Sequence, residues 1–517
     1  MKLFTRSVPP GGSARASLAG WLYGLFMAAT LLICLLAWGR VPYARAEFSR
    51  VFLSPWLLLV LGFVFILCLF WLSERIAPLI RHGRLALLIA TVCLFAFQVA
   101  AVVQYYFFTD WDVEALLDLS YQLVHGGESE GLVQYFSRYP NNLVLGWIFA
   151  QVRGLAAGLG LERFEYGLLL VLQCAFNALT GTLLVLLLRE LGASRSRLIL
   201  GYGLYVFLIG LSPWVSIPYS DSMCLPFPCL AAWLALRKGK GKTGAGILRW
   251  ALIGLCSWIG YRIKPQAIFL LLAVLLRGLF SLRDSAVRKR ALPALAGLAA
   301  GLLAASLACS AVVNSLPLTL DEEAAFGPAH FLMMGLNSET MGVYSREDVE
   351  FSKSFSTQKE RNEADLRVAL ERVRTLGAKG LARLGVQKTL TNYGDGTFCW
   401  DGEGEFYVGA VERGNSRFGA FFRDLYYSRQ WEGRFFPLWA NFAQLLWLAI
   451  LFLGLVCAWR AGDARIDCLM LAILALSAFE LLFEARSRYL YIYAPLYIAL
   501  AVRGLDARRK DPEQTSE

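Results

Sequence analysis

Residues 105–142, YYFFTDWDVEALLDLSYQLVHGGESEGLVQYFSRYPNN, decide how the rest of the chain can be arranged. A long apolar run ends here in four aromatic residues, and acidic residues follow at once, beginning with Asp110 and Asp112. Carboxylates at the edge of a bilayer are costly and usually serve a function. The sequence therefore predicts that a membrane helix ends near residue 108 and delivers these acids to the start of a functional loop.

The composition excludes a soluble domain. The chain has 517 residues, of which 57% are hydrophobic, and its mean hydropathy is +0.52. Apolar runs of about 20 residues recur along it, as in proteins that cross the membrane many times. The formal net charge of +11 does not indicate nucleic acid binding, because Lys and Arg occur in short clusters between the apolar runs. Such clusters are topology signals.

Several kinds of site have no support in the sequence. The three histidines, His82, His125 and His330, are far apart and have no Cys pairs beside them, so a zinc site is not indicated. No phosphate-binding GxxxxGK[ST] loop and no GxGxxG motif after a strand is present. Nearly all of the eleven cysteines lie in apolar runs, which argues against a disulfide framework.

The distribution of Lys and Arg predicts about twelve membrane spans, with both termini in the cytoplasm. The predicted spans lie near residues 17–38, 53–72, 85–108, 165–188, 198–217, 222–236, 247–263, 265–281, 291–314, 438–459, 467–483 and 489–503. The apolar run 143–161 fits this scheme only if it does not cross the membrane. If it crossed, the basic segment 237–242 would lie on the external side. We therefore expect a half-embedded helix at 143–161 within one external loop, 109–164.

The first hairpin fits the charge rule least well. Basic residues before the first span place the N-terminus inside, and we favour an uncleaved anchor over cleavage after the signal-peptidase-like site at 44–46. However, Arg40, Arg45 and Arg50 lie in a loop that this topology places outside. The orientation of this hairpin therefore stays open.

The chain divides into four parts. We predict an all-α polytopic membrane protein with an extra N-terminal hairpin (1–84), a membrane core (85–314), an external loop domain (315–437) and C-terminal spans with a cytoplasmic tail (438–517). In the loop domain, apolar residues at helical spacing predict a helix over 359–390. Its stripe, Leu366, Leu370, Val373, Leu376, Leu381 and Leu384, suits either the lipid surface or packing within the loop. The following NYGDG at 392–396 predicts a turn.

Three short predicted external turns carry charged residues at helix boundaries. They contain Asp221, then Arg262 and Lys264, and finally Glu484, Arg486 and Arg488. A carboxylate can take a proton from an attacking hydroxyl, and cations at the bilayer edge can stabilise a departing phosphate. Together with Asp110, Asp112 and Arg138, these residues suit group transfer from a lipid-linked phosphate donor at the outer leaflet.

Structural explanations for the same residues compete with this interpretation. Asp110 is expected as the N-cap of the helix that carries Asp112, and Asp221 suits a cap equally well. Arg262 and Lys264 could extend only to the interface, and Glu484 could simply pair with a neighbouring arginine. Arg138 and Tyr139 could anchor the half-embedded helix.

The arrangement resembles the type C glycosyltransferases (GT-C), multi-spanning enzymes that use polyprenyl-phosphate sugars. Examples are protein O-mannosyltransferases, bacterial aminoarabinose transferases and GPI mannosyltransferases. The matching features are an acid in TDWDVEALLDLSYQLVHG, a half-embedded helix beginning at SRYPNNLVLGWIFA, the segment LSPWVSIPYSDSMCLPF and the pair Lys264-Pro265. The resemblance covers roughly 85–315 and, loosely, the last spans.

The resemblance implies site residues and leaves the need for a metal open. It implies Asp112, with Asp110 and Asp221, as catalytic acids. Arg138, Tyr139, Asn141, Arg262, Lys264, Glu484, Arg486 and Arg488 would bind substrate. Two spans precede the family's usual first one, and Asp221 stands alone rather than in a DxD or DxE pair. A divalent metal is therefore neither required nor excluded.

The expected function is inverting sugar transfer at the outer face of the plasma membrane. The short predicted cytoplasmic loops suit a bacterial plasma membrane. Asp112 would be the base, the donor a polyprenyl-phosphate sugar, and the acceptor an envelope glycan, a glycolipid or a protein. The main rival is a transporter or lipid-linked-sugar flippase, which should have polar residues at mid-membrane depth and related halves. The sequence shows neither. A non-catalytic envelope scaffold, with 315–437 as its binding module, is a weaker rival.

Overall fold

The computed structural model describes most of the chain. The described residues are 13–37, 39, 52–127, 130–237, 243–282, 285–400, 407–410, 416–427, 433–460 and 463–505. The predictions about the site at 44–46, about Arg40, Arg45 and Arg50, and about the lysines of 238–242 lie outside these residues.

The described residues are almost entirely helical. The helices are α1 (Ser13–Leu36), α2 (Pro55–Ile76), α3 (Gly83–Tyr105), α4 (Asp112–His125), α5 (Glu130–Arg138), α6 (Leu143–Gly158), α7 (Glu165–Glu190), α8 (Arg195–Tyr205), α9 (Ser220–Met223), α10 (Pro226–Leu236), α11 (Thr243–Ile263), α12 (Ile268–Ser281), α13 (Ser285–Asn314), α14 (Pro328–Gly335), α15 (Arg346–Lys353), α16 (Gln358–Tyr393), α17 (Arg417–Tyr426), α18 (Phe436–Arg460), α19 (Ala464–Leu482) and α20 (Ala494–Gly504). Two short strands, β1 (Phe107–Thr109) and β2 (Tyr407–Ala410), pair antiparallel.

Each of the twelve predicted spans coincides with helical structure, but fewer helices are long enough to cross on their own. Among the described residues, five helical segments are long and apolar enough to span a membrane. They are Pro55–Leu79, Gly83–Tyr105, Glu162–Glu190, Ala291–Asn314 and Phe436–Trp459. Shorter apolar helices lie at Leu22–Leu36, Ser220–Leu236 and Pro265–Leu279. The mostly helical, multi-spanning class is therefore confirmed, and the count of twelve stays a prediction.

Large apolar side chains lie exposed on the outside of the helix bundle. Leu79 is 78% exposed, Leu292 76% and Leu25 68%, and many others on α2, α3 and α13 are similar. A soluble protein does not present such continuous apolar surface to water. These faces are suited to contact with lipid acyl chains.

The loops that were predicted to be cytoplasmic meet at one end of the bundle. Arg195 donates to the Ile80 carbonyl at 2.9 Å, and Arg465 donates to the Glu190 carbonyl at 2.5 Å. Arg197 donates to the Leu505 carbonyl at 3.3 Å. The positive-inside rule thus correctly grouped these loops at one end of the bundle. That this end faces the cytoplasm stays a prediction.

The helix predicted to be half-embedded is α6, with only 16 residues. A buried ion pair locks it against its neighbours, because Arg153 of α6 binds Glu165 of α7 at 2.9 Å and Ser120 of α4 at 2.8 Å. His125 Nε2 lies 2.8 Å from the other oxygen of Glu165. The first loop is therefore a packed layer of short helices rather than a flexible connection.

Helices α11 and α13 approach closely because glycines face the partner backbone. A Cβ on Gly301 would lie 1.9 Å from the Ala251 carbonyl oxygen, and one on Gly297 would lie 2.4 Å from that of Ile247. Gly254 of α11 faces the Leu298 carbonyl in the same way. Glycines four residues apart are a common way to bring membrane helices into backbone contact.

A methyl group at this contact should destabilise the protein. We expect Gly301→Ala to lower the free energy of unfolding by about 1–3 kcal/mol, because the two helices must separate to accept it. The matched control is Gly278→Ala in α12, where nothing lies within 4 Å of the new Cβ. Thermal unfolding in detergent would measure both, and equal midpoints would contradict the close approach.

The region 315–400 forms a helical layer around α16. This helix is longer than predicted and is kinked at Gly377, which has φ 57° and ψ −174°. Its Arg372 pairs with Asp348 of α15 at 2.6 Å. The predicted apolar stripe is only partly buried: Leu384 is 3% exposed, but Leu366 and Leu370 are 44% and 48% exposed.

The segment after α16 is buried rather than a surface turn. Asp395 accepts hydrogen bonds from the Thr397 and Cys399 backbone amides, both at 2.9 Å. The Thr397 carbonyl accepts from Trp214 Nε1 at 3.1 Å, and a Cβ on Gly396 would lie 2.6 Å from the Ala443 carbonyl oxygen. The predicted turn is present, but it inserts between α18 and the turn before α9.

A buried histidine links α14 to α15 and α16. His330 Nδ1 lies 2.7 Å from Ser352 Oγ, which donates to Asp365 at 2.8 Å, and the imidazole stacks on Phe326. Burial lowers the pKa of His330 from 6.5 to about 4. The unfolded chain therefore binds more protons than the folded chain between about pH 6.5 and 4, so stability must fall as the pH falls through this window.

His330→Asn should remove part of this acid sensitivity, because the amide can replace the Nδ1 contact but cannot titrate. We expect the wild-type chain to lose about 3 kcal/mol more than the variant between pH 7 and pH 4. Chemical unfolding at several pH values would measure the difference. Parallel stability curves for the two chains would contradict a neutral buried imidazole.

Candidate functional site

The site is organised around one buried carboxylate. Asp221 is 1% exposed and lies in the short helix α9, at the end of the bundle opposite the basic loops. Its Oδ1 is 2.6 Å from Lys264 Nζ, and its Oδ2 is 3.6 Å from an Arg488 nitrogen. The three residues come from distant parts of the chain, so the fold brings the three predicted turns together.

Local sequence explains how each partner is presented. Pro265 follows Lys264, which therefore adopts an extended conformation and ends α11. Arg488 lies in the 3-10 turn Ser487–Tyr493. Burial lowers the pKa of Lys264, while the adjacent Asp221 carboxylate opposes this shift.

Aromatic rings enclose the two cations. The Arg488 guanidinium lies 4.7 Å from the Trp111 ring centroid and 5.4 Å from those of Tyr219 and Tyr489. Lys264 Nζ lies 4.2 Å from the Tyr489 ring centroid. Rings exclude water and attract cations, so they strengthen the electrostatic interactions inside this enclosure.

Asp112 lies next to this enclosure, at the hydroxyl of Tyr219. The Tyr219 hydroxyl donates to Asp112 Oδ2 at 2.9 Å, while the ring of Tyr219 packs on Trp111. Asp112 is the first residue of α4, where the helix dipole favours a carboxylate. It is partly exposed, unlike Asp221. A solvent-accessible carboxylate and two buried cations therefore lie about one tyrosine ring apart.

Glu484 and Arg486 lie beside the enclosure and bind each other. Arg486 Nε is 3.2 Å from Glu484 Oε1, and the Tyr489 hydroxyl donates to Glu484 at 3.0 Å. Burial favours the neutral acid, but the guanidiniums of Arg486 and Arg488 prevail and lower the pKa of Glu484. The structural alternative of an ion pair is thus confirmed for Arg486, whereas Arg488 binds Asp221.

The predicted residues of the first loop lie around Asp112. Burial and then the Asp112 carboxylate raise the pKa of Tyr139, with smaller contributions from Tyr344 and Glu484. Arg138 acts on the same phenol in the opposite direction. Asn141 is exposed in the 3-10 turn Pro140–Asn142. Among the described residues, it makes no contact with the cluster.

Two predictions need correction. Asp110 is exposed and is not the N-cap of α4, because the helix begins at Asp112 and its N-cap is Trp111. Asp221 lies inside α9 rather than capping a span, since its carboxylate faces the two cations.

Arg262 lies apart from the cluster. It lies near Cys309 of α13, and its buried Nε lacks a hydrogen-bond partner. Only Ile263 separates the two residues, but Arg262 lies in the last turn of α11 and Lys264 follows the end of that helix in an extended conformation, so their side chains differ in direction.

The cluster does not suit a divalent metal. Across the described residues, no three His, Cys, Asp or Glu side chains come together as ligands. A divalent cation at Asp221 would also lie beside Lys264 and Arg488, which carry the same sign of charge. We therefore derive no step through a metal.

Tyr219, Trp111 and Tyr489 were not among the predicted site residues. Each lies within two residues of a predicted acid or cation in the sequence, as in YSDS and RSRY, and this proximity was the available signal. Aromatic residues are common at membrane interfaces, so the sequence alone does not distinguish an enclosing ring from an interfacial anchor.

A family model described as a conserved hypothetical integral membrane protein matches residues 16–507. The chain belongs to this integral membrane protein family. No curated protein matches it. Membership places the chain in contact with a lipid bilayer, and the cluster lies where several apolar helices of this family member end.

Removing the central carboxylate should destabilise the integral membrane protein. We expect Asp221→Asn to lower the free energy of unfolding by about 3–5 kcal/mol, because Lys264 and Arg488 would stay buried without their counter-ion. Asp110→Asn, at an exposed acid, should change it by less than about 0.5 kcal/mol. Thermal unfolding of the purified variants would test this, and unchanged stability of Asp221→Asn would contradict the central role of the ion pairs.

Proposed function

We propose that this protein is a membrane glycosyltransferase of the GT-C type that uses a polyprenyl-phosphate sugar. The observation that carries the proposal is the arrangement around Tyr219, whose hydroxyl binds Asp112 while Lys264 and Arg488 lie over its ring. A base and a phosphate-binding pair at this separation suit a sugar bound between them. The position at helix ends suits a donor whose phosphate lies at the membrane interface.

The reaction would be a single displacement. The acceptor oxygen attacks the anomeric carbon, the bond from that carbon to the phosphate oxygen breaks, and the configuration inverts. Asp112 takes the proton of the acceptor hydroxyl, while the hydrogen bond from Tyr219 holds one carboxylate oxygen in place. The electron pair of the broken bond stays on the polyprenyl phosphate as it leaves.

Lys264 and Arg488 would stabilise the charge that develops on the leaving phosphate. They are held rigidly by Asp221, so little reorganisation is needed when that charge appears. In this account Asp221 positions the cations and does not transfer a proton. Arg138 and Tyr139, which lie near Asp112, would contact the sugar or the acceptor.

The site would face the outer side of the plasma membrane. This orientation follows from the excess of Lys and Arg in the loops at the opposite end of the bundle. The acceptor would be an envelope glycan, a glycolipid or a protein, reached through the part of the site that exposes Asp110 and Tyr344.

A transporter or flippase of lipid-linked sugars is the second candidate, because polar residues do lie inside apolar helices. Gln98 of α3 donates to Asn177 of α7 at 2.8 Å, and Glu480 of α19 is fully buried. These residues lie within the predicted spans, and the expectation that none lies at mid-membrane depth stays a prediction. However, Gln98 also binds the Gly210 carbonyl at 2.7 Å, so this pair satisfies the backbone of the π-helical turn Val206–Gly210. We therefore favour the transferase.

Replacing the proposed base should separate these functions. We expect Asp112→Asn to lower the rate of sugar transfer from a polyprenyl-phosphate donor by about 10²- to 10⁴-fold, because the amide cannot accept the proton. Membranes containing the full chain, incubated with labelled donor and envelope fractions, would give the rate. The matched control is Asp110→Asn, two residues away and exposed, which should transfer normally.

Equal transfer by the wild type and Asp112→Asn would contradict the role of Asp112. Movement of labelled lipid across the bilayer without any transfer to an acceptor would instead support the flippase.

A further inference from the structure

The segment that carries Arg488 has little structure of its own. Residues 483–486 connect the end of α19 to the 3-10 turn and form neither helix nor strand. Buried backbone groups in such a segment need partners from elsewhere. The Ala485 amide donates to the Gly342 carbonyl at 2.8 Å, so part of the support comes from the layer formed by residues 315–400.

A buried lysine supplies the other support. Lys388, near the end of α16, is fully buried, and its Nζ donates to the Phe483 carbonyl at 2.5 Å and to the Gly335 carbonyl at 2.8 Å. One amine thus joins α14, α16 and the segment that leads to Glu484 and Arg488. Buried lysines are rare unless such partners compensate them.

The backbone segments around Lys388 pack closely against one another. A Cβ on Gly335 would lie 2.5 Å from the Leu482 carbonyl oxygen and from Phe483. Gly342 has φ +74°, and a Cβ there would lie 2.9 Å from Lys388 Cδ. Two glycines thus allow the backbones to close around the lysine side chain.

The charges around Lys388 do not replace these hydrogen bonds. Burial lowers its pKa to about 7, against the opposing effects of Glu480 in α19 and Glu484 in the segment. The amine donates to both carbonyls whether it is charged or neutral. The bridge therefore does not depend on the protonation state of Lys388.

We propose that Lys388 is a positioning residue that fixes residues 483–486 and thereby holds Arg488 against Asp221. The consequence for phosphate binding rests on the proposed function, but the bridge itself does not. Loss of the amine leaves the Phe483 and Gly335 carbonyls without their donor, and the segment then opens more often.

A cysteine reporter tests the bridge without any assay of transfer. Ser487 is fully buried and its hydroxyl has no hydrogen-bond partner, so Ser487→Cys should be tolerated and protected from a water-soluble maleimide. Adding Lys388→Met should raise the labelling rate about tenfold or more, because two buried carbonyls lose their donor and the open form becomes more populated. The chain without the reporter gives the background of the eleven native cysteines.

A matched control separates positioning from general destabilisation. Arg361→Met removes another buried cation of α16, whose donors bind the carbonyls of Glu323, Ser352 and Phe355 rather than residues 483–486, and should lower the melting temperature while the reporter stays protected. Lys388→Gln, a milder variant that keeps an amide donor on a shorter side chain, should give intermediate labelling. Labelling of Lys388→Met at the rate of the reporter chain alone, or labelling of Lys388→Gln as fast as that of Lys388→Met, would overturn the proposal.

Activity supplies a second arm if transfer is observed. Lys388→Met should raise the KM for the lipid donor several-fold more than it lowers kcat, because Arg488 loses its fixed position, whereas Arg361→Met should leave this ratio unchanged. An equal effect of both variants on KM and kcat would count against positioning. Absence of transfer in the wild type would refute the proposed function and leave the labelling result to decide the role of Lys388.

Discussion

The buried contact of Asp221 with Lys264 and Arg488 is the constraint on which the site depends. Two cations cannot stay enclosed by aromatic rings at the end of a membrane bundle without a counter-ion. The carboxylate therefore fixes α9, the end of α11 and the segment after α19 relative to one another. Compared with well-packed apolar residues, such a buried ion pair adds little net stability, because burying the charges offsets their attraction. Its main effect is to fix the position of the charges. That fixed position is what a phosphate-binding site requires.

The loop regions are part of this construction rather than an independent module. The first loop supplies Asp112 and Trp111, and its short helices are held by the ion pair of Arg153 with Glu165. The layer formed by residues 315–400 supports the segment before Arg488, and the buried Asp395 turn reaches Trp214 near α9. The predicted domain boundary at 315 is thus a boundary in sequence, while the contacts cross it.

The membrane organisation could be predicted because its signals are local. Long apolar runs, the charge bias of the loops and prolines such as Pro265 locate the helices, and the same bias groups the charged turns at one end. The distance between Lys264 and Asp221 could not be predicted, because it depends on how α9, α11 and the 3-10 turn pack. Arg262 and Lys264, two residues apart, looked equivalent in sequence, and only the orientation of α11 separates them. The close contact at Gly297 and Gly301 did have a signal in the sequence, namely two glycines four residues apart in an apolar run. The charge pattern, which was used to place the spans, does not reveal it.

Binding of a lipid phosphate tests most directly whether the aromatic enclosure of Lys264 and Arg488 holds the phosphate of the donor. Thermal unfolding of the purified chain would be measured with a short polyprenyl monophosphate and with the matching uncharged polyprenol. We predict that the polyprenyl phosphate stabilises the wild type and Asp112→Asn equally, and much more than the polyprenol does. In Lys264→Met the two lipids should stabilise the protein equally. Equal stabilisation of the wild type by the two lipids, or a difference that survives in Lys264→Met, would contradict this account.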